Sequence, residues 1–170
     1  KNKKIKKKIK FIKKKFSKFN IDGYIIPKND DYFGEYAKTD RLKIISEFSG
    51  SAGFAVILKK KNHLFVDGRY TLQAKKQSGK EFVICEIPQN FPYNLSEIEN
   101  KLIGFNPKLF TETTLYKYFK KKTALRPIEF KFQDNIKKKI EKFFTLSKKI
   151  TGEHSNSKIS RVISYLKKNK

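Results

Sequence analysis

Tryptophan and methionine are absent from this 170-residue chain, cysteine occurs once and histidine only twice. A single cysteine, Cys85, excludes an internal disulfide and fits a reducing, cytoplasmic setting. Cys85 also lies in the apolar run Phe82-Val83-Ile84-Cys85, the context of a buried structural thiol rather than a nucleophile. Two imidazoles, His63 and His154, are too few for a His-rich metal site, and the 16 acids are scattered, with Asp30-Asp31 the one adjacent pair. A solvated turn is the expected role of that pair, and a structural role in a strand is expected of His63. No apolar stretch approaches the ~20 residues of a membrane span. The basic segment Lys1 to Lys15 is not followed by the apolar core of a signal peptide.

Acids are also scarce against 41 Lys and Arg, leaving a net charge of +25. That balance invites a nucleic-acid reading. Recognition of bases favours Arg forks, however, and only Arg41, Arg69, Arg126 and Arg161 occur. The lysines are spread along the chain, many on polar helix faces, so solvated Lys surfaces are expected and nucleic acid is not the expected partner. With Met and Trp absent, the 16 Phe and 8 Tyr must supply much of the core.

What is present reads as strands alternating with helices. Ile5, Ile9, Ile12, Phe16 and Phe19 form one stripe of an amphipathic helix whose other faces are almost all Lys. Such a helix suits a membrane surface or a sheet; packing on a sheet is preferred because a strand, Gly23 to Pro27, follows at once. A short helix is expected over Arg41 to Phe48. Phe54 to Leu58 and His63 to Asp67 flank the Lys59 to Asn62 turn as a hairpin. Further expectations are a helix from Tyr70 to Ser78 closed by Gly79, a strand from Phe82 to Ile87, and a short helix over Leu95 to Lys101. Leu102 to Phe105 begins a strand, and Thr111 or Thr113 caps a helix reaching about Lys121. A last strand over Pro127 to Phe132 and a helix over Gln133 to Phe144 follow. The fold class is α/β, a mixed sheet with helices on its faces. Residues 1–150 are expected to form one domain, and 151–170 a linker and the first helix of a following one. That helix, Ser157 to Lys168, carries an apolar stripe (Ile159, Val162, Ile163, Leu166) with no later strand to pack on.

The unusual stretch runs from Phe48 to Ala74. Ser49-Gly50-Ser51-Ala52-Gly53 is a small-residue entrance to a strand, where backbones can approach closely. Asp67-Gly68-Arg69 falls where a strand passes into a helix; there Asp67 is expected to cap the Tyr70 or Thr71 N–H and to leave Arg69 projecting. Neither stretch specifies a reaction. The first lacks the Lys of a phosphate-binding P-loop and the Gly spacing of a dinucleotide fingerprint, and Ser51 is not in a nucleophile elbow.

Taken together, Tyr24-Ile25-Ile26-Pro27, Glu35-Tyr36, Phe48 to Gly53, Phe65 to Ala74 and Ile103 to Pro107 resemble the N-terminal domain of Xaa-Pro aminopeptidases, shared in looser form with prolidase and creatinase. The resemblance covers roughly Phe16 to Phe144. The chain departs from it at Tyr32-Phe33, where the family often has His, at Gly34 in place of Ser and at Phe65 in place of Trp. The resemblance implies a ribonuclease H-like motif as in creatinase and prolidase N-terminal domains. It implies a whole enzyme that removes an N-terminal residue preceding proline, using two divalent metals, usually manganese, to activate a water. Their ligands, two Asp, one His and two Glu, would lie in a C-terminal pita-bread domain beyond this chain, which itself is expected to hold no cofactor. The domain at hand would support a homodimer and wall the substrate entrance. Candidates for that edge are Tyr36, Ser51, Asp67, Arg69 and Tyr70, with a purely local turn role for Asp67 and Arg69 left open. The rival classes are a stand-alone interaction domain and a basic nucleic-acid-binding domain.

Overall fold

The computed structural model describes residues 2–34, 39–129 and 144–169. The chain divides into two compact units, Lys1–Asp134 and Asn135–Lys170. The first opens with helix α1, Asn2–Phe19. Its apolar residues recur every three or four positions, so Ile5, Ile9, Ile12 and Phe16 fall on one side and are buried. That stripe is therefore packed against the core and is not free to lie on a membrane. Asn20, left-handed at φ 48°, ends the helix, and the Ile21 N–H closes it on the Phe16 carbonyl at 3.0 Å.

Among the described residues six strands follow: β1 Gly23–Pro27, β2 Gly53–Leu58, β3 Asn62–Asp67, β4 Val83–Ile87, β5 Leu102–Phe105 and β6 Ala124–Pro127. Their order in the sheet is β4-β3-β2-β1-β5-β6. The β2–β3 hairpin and the β1–β2 pair are antiparallel; β3–β4, β1–β5 and β5–β6 are parallel. The sheet is also served by α2 Arg41–Ser46, α3 Thr71–Ser78 and α4 Glu112–Phe119.

Side chains alternate across a strand, so each central strand feeds two cores. Tyr24, Ile26, Ala55, Ile57, Leu64 and Val66 face α1, α2 and α3. Ile25, Phe54, Val56, Phe65 and Ile103 face α4 and the Leu109-Phe110 segment. This two-sided burial explains why β1 and β2 read as continuous apolar runs. The Tyr24 hydroxyl crosses to the far edge and donates to the Ile128 carbonyl at 2.7 Å.

Several boundaries differ from the sequence reading. The last strand is Ala124–Pro127 rather than one beginning at Pro127. It is an edge strand whose residues are mostly exposed, so its hydrophobic signal is thin, and the parallel register with β5 ends it at Pro127. The expected helix over Leu95 to Lys101 is one tight 3-10 turn, Ser96–Ile98. Helix α2 stops at Ser46 because Glu47 turns left-handed at φ 63°. Thr111, not Thr113, caps α4, its hydroxyl accepting from the Thr114 N–H at 3.2 Å. The helix expected over Gln133 to Phe144 lies almost wholly outside the described residues. In the second unit, α5 is Lys148–Thr151 and α6 is Ser155–Lys168. On α6 the stripe of Ile159, Val162, Ile163 and Leu166 is exposed.

Candidate functional site

The two small-residue motifs, some 20 residues apart in sequence, meet where β2 begins and α3 starts. Glycine is required on this path. A Cβ on Gly50 would stand 2.2 Å from Cζ of the buried Phe48 ring, and one on Gly53, held at φ 152°, would stand 2.7 Å from the Phe65 carbonyl oxygen. The loop therefore wraps closely over Phe48. It is held to α3 by Ser49, whose hydroxyl accepts from both Gln73 Nε2 and Gln77 Nε2 at 2.9 Å, while its N–H donates to Gln77 Oε1 at 3.0 Å. Gln73 and Gln77 reach one serine because residues four apart share a helix face.

Fixing the loop brings Ser51 Oγ to 2.7 Å from the Tyr70 hydroxyl. The Tyr70 ring packs edge-on against Phe48, with centroids 6.0 Å apart. Arg69 lies over the same ring, 5.7 Å from its centroid. Asp67 Oδ1 accepts from the Arg69 backbone N–H at 3.0 Å and from its Nε at 2.9 Å. Asp67 thus caps Arg69 itself and not Tyr70 or Thr71: it is the N-cap of the 3-10 turn Gly68–Tyr70, in which Arg69 is the second residue. Arg69 does not project freely either: it folds back on the carboxylate it follows. The hydrogen bond from Arg69 holds the Asp67 carboxyl below the usual carboxylate range, and the same contact raises the guanidinium. Among the described residues, the terminal guanidinium nitrogens of Arg69 carry no bond, and the side chain is 76% exposed. Four of the five candidates therefore form one connected edge, Asp67–Arg69–Tyr70–Ser51. Tyr36 lies outside the described residues.

Ser51 also borders a cleft of about 650 Å³ at the end of β1, lined by Pro27, Lys28, Asn29, Asp40, Phe54 and Tyr118 among others. Lys28 and Asp40 pair within it, each about one-fifth exposed. Asp40 does double duty, since its Oδ1 also accepts from the Lys43 N–H at 2.8 Å and caps α2. Asn29 Nδ2 donates to the Leu109 carbonyl at 3.1 Å, closing the floor. Ser49 and Gln73 fall inside the two motifs, but neither they nor Lys28, Asn29, Asp40, Tyr118 or Gln77 stand out in the sequence as site residues. Asp40 carried a detectable signal, an N-cap residue just before a short helix; the others meet only through tertiary contact.

Cys85 and His63 lie elsewhere, on β4 and β3. Cys85 Sγ is 3.8 Å from His63 Nδ1, and His63 Nε2 is 3.1 Å from Glu97 Oε2. Burial pushes the Cys85 thiol up to about 11, which leaves it protonated and unreactive. Burial likewise lowers His63, against the opposing pull of Glu97. Among the described residues, no group of three or more His, Cys, Asp and Glu is arranged to hold a metal ion.

A family model, the Creatinase/Prolidase N-terminal domain, matches residues 8–140. The chain belongs to that family. Curated proteins similar to this creatinase/prolidase N-terminal domain include Xaa-Pro aminopeptidase 1 of Dictyostelium discoideum, 31% identical over 88% of this chain and 28% of that protein. Xaa-Pro aminopeptidase 2 of Rattus norvegicus is 36% identical over 59% of this chain and 16% of its own length. The chain thus spans less than a third of these relatives. Among solved structures, the X-prolyl aminopeptidase of Caenorhabditis elegans, a cytosolic enzyme with a di-nuclear active site, aligns with a TM-score of 0.67 and 22% identity, over 97% of this chain and 31% of that one. The N-terminal domain of a metallopeptidase of Corynebacterium diphtheriae aligns at 0.58 and 18% identity, over 74% of this chain and 96% of that one. At these identities the structures establish a shared fold, the mixed sheet with helices on its faces.

Proposed function

We propose that this is the non-catalytic N-terminal domain of a metal-dependent Xaa-Pro aminopeptidase, a cytoplasmic enzyme that removes an N-terminal residue preceding proline. In this reading residues 1–150 form the domain, and 151–170 are the linker and first helix of a pita-bread catalytic domain. Two divalent metal ions, usually manganese, would act in that following domain by activating a water. Among the described residues the acids and imidazoles do not converge as a metal would need, and the reading assigns this chain no catalytic step. Its part is to support a homodimer and to shape the entry of proline-containing peptides.

The observation that carries this reading is the edge Asp67–Arg69–Tyr70–Ser51 beside the 650 Å³ cleft. Asp67 holds Nε and orients the guanidinium, leaving two nitrogens for a peptide carboxylate or an acid of another domain. In the full-length enzyme, Arg69→Ala is expected to lower kcat/KM about ten-fold, the size of one charge-assisted hydrogen bond, with little change in Tm. A fall in Tm alone would assign Asp67 and Arg69 to the local turn and defeat the reading.

A further inference from the structure

Helix α1 has two sides with opposite fates. Ten of its 18 residues are Lys and none is acidic. With Ile5, Ile9, Ile12 and Phe16 buried, the direction opposite them carries Lys3, Lys7, Lys10, Lys14 and Lys18, all exposed. Spaced by four, three, four and four, these five run in one row about 22 Å long. Lys4, Lys6 and Lys15 flank the row, so lysines cover roughly half of the helix circumference. Of the α1 lysines only Lys6 approaches an acid among the described residues, Glu81 at 3.7 Å. Phe11 lies beside the row with 43% of its surface exposed, and Lys15 Nζ is 5.2 Å from its ring centroid.

This row takes no part in the packing of the buried stripe, and among the described residues none of its five lysines pairs with an acid. A second copy of the chain offers no match for this row, because its 16 Asp and Glu are scattered and form no acidic face. An occupant must be anionic. A nucleic-acid strand would engage a narrow wedge of the helix and would favour Arg, which α1 lacks. A flat anionic sheet engages a broad arc, because long Lys stems on the flanks can bend toward one plane. It also gives the exposed Phe11 an apolar layer to enter.

We infer that the outer face of α1 docks on an anionic lipid surface through Lys3, Lys7, Lys10, Lys14 and Lys18, with Phe11 entering the headgroup boundary. The helix is already rigid against the sheet, so docking costs little ordering. The contact is electrostatic and reversible, the mode of a peripheral protein at a negatively charged leaflet.

The 170-residue chain contains no Trp, so Phe11→Trp supplies a single indole reporter. With vesicles of phosphatidylcholine and phosphatidylglycerol at about 50 mM salt, the indole emission of that variant should shift to the blue and the chain should co-sediment. With phosphatidylcholine alone, or at about 300 mM salt, both signals should vanish. Changing the five row lysines to Gln should weaken partitioning about five-fold per lysine removed. A control with Lys75, Lys76, Lys80, Lys121 and Lys122 changed to Gln, of equal net charge, should retain binding; circular dichroism checks that both fold. Absence of vesicle binding at low salt would overturn the inference, as would equal loss in the control. So would tighter, row-dependent binding to single- or double-stranded oligonucleotides at the same salt.

Discussion

At the scale of single residues, His63 shows how burial sets protonation. It is 3% exposed, and burial lowers its pKa below the free value in spite of Glu97 at 3.1 Å. In the unfolded chain His63 takes up its proton as pH falls through about 6.5. In the folded chain it does so only at lower pH. The unfolded state therefore binds more protons in that window, and stability falls as pH drops from about 6.5 toward the folded pKa. Urea midpoints measured from pH 7.5 to 5 should show this slope, and His63→Gln should flatten it. An unchanged slope in the variant would place the titrating group elsewhere. Asp67 was legible as a cap, but where the turn begins, and so that Arg69 supplies the capped N–H, is seen only in the structure.

At the scale of elements, α1 and the β2–β3 hairpin were readable because their information is local. A stripe at intervals of three and four specifies a helix, and two apolar runs about a short polar turn specify a hairpin. Strand β6 was misplaced for the converse reason: its residues are largely exposed, and only pairing with β5 defines it. The stripe of α1 is also where most of that helix's stability resides. Ile12 is 1% exposed and sits in the core between α1 and the sheet. Ile12→Ala should cost about 3 kcal/mol by lost burial and an unfilled cavity, read from chemical denaturation. Lys14→Ala, on the opposite face, should shift stability by no more than about 0.5 kcal/mol. Comparable losses at the two positions would contradict the packing of α1.

At the scale of the whole molecule, charge dominates. A net +25 on a 20.0 kDa chain stores self-repulsion in the folded state that unfolding relieves. Raising NaCl from about 10 mM to about 300 mM shortens the screening length several-fold, so the urea midpoint should rise. A fall would mean that ion pairs such as Lys59–Asp22 and Lys108–Glu129 contribute more than the repulsion costs. Periodicity and composition sufficed for the fold class, the two-faced helix, the buried strands and the motifs to watch, because hydrophobic patterning is written along the chain. The joining of Ser51 to Tyr70, of Lys28 to Asp40 and of Ser49 to Gln73 and Gln77 was decided only in three dimensions. Those partners stand 12 to 28 residues apart in sequence. It is the packing of the hairpin and α3 over Phe48 that brings the serines within reach of Tyr70 and the two glutamines.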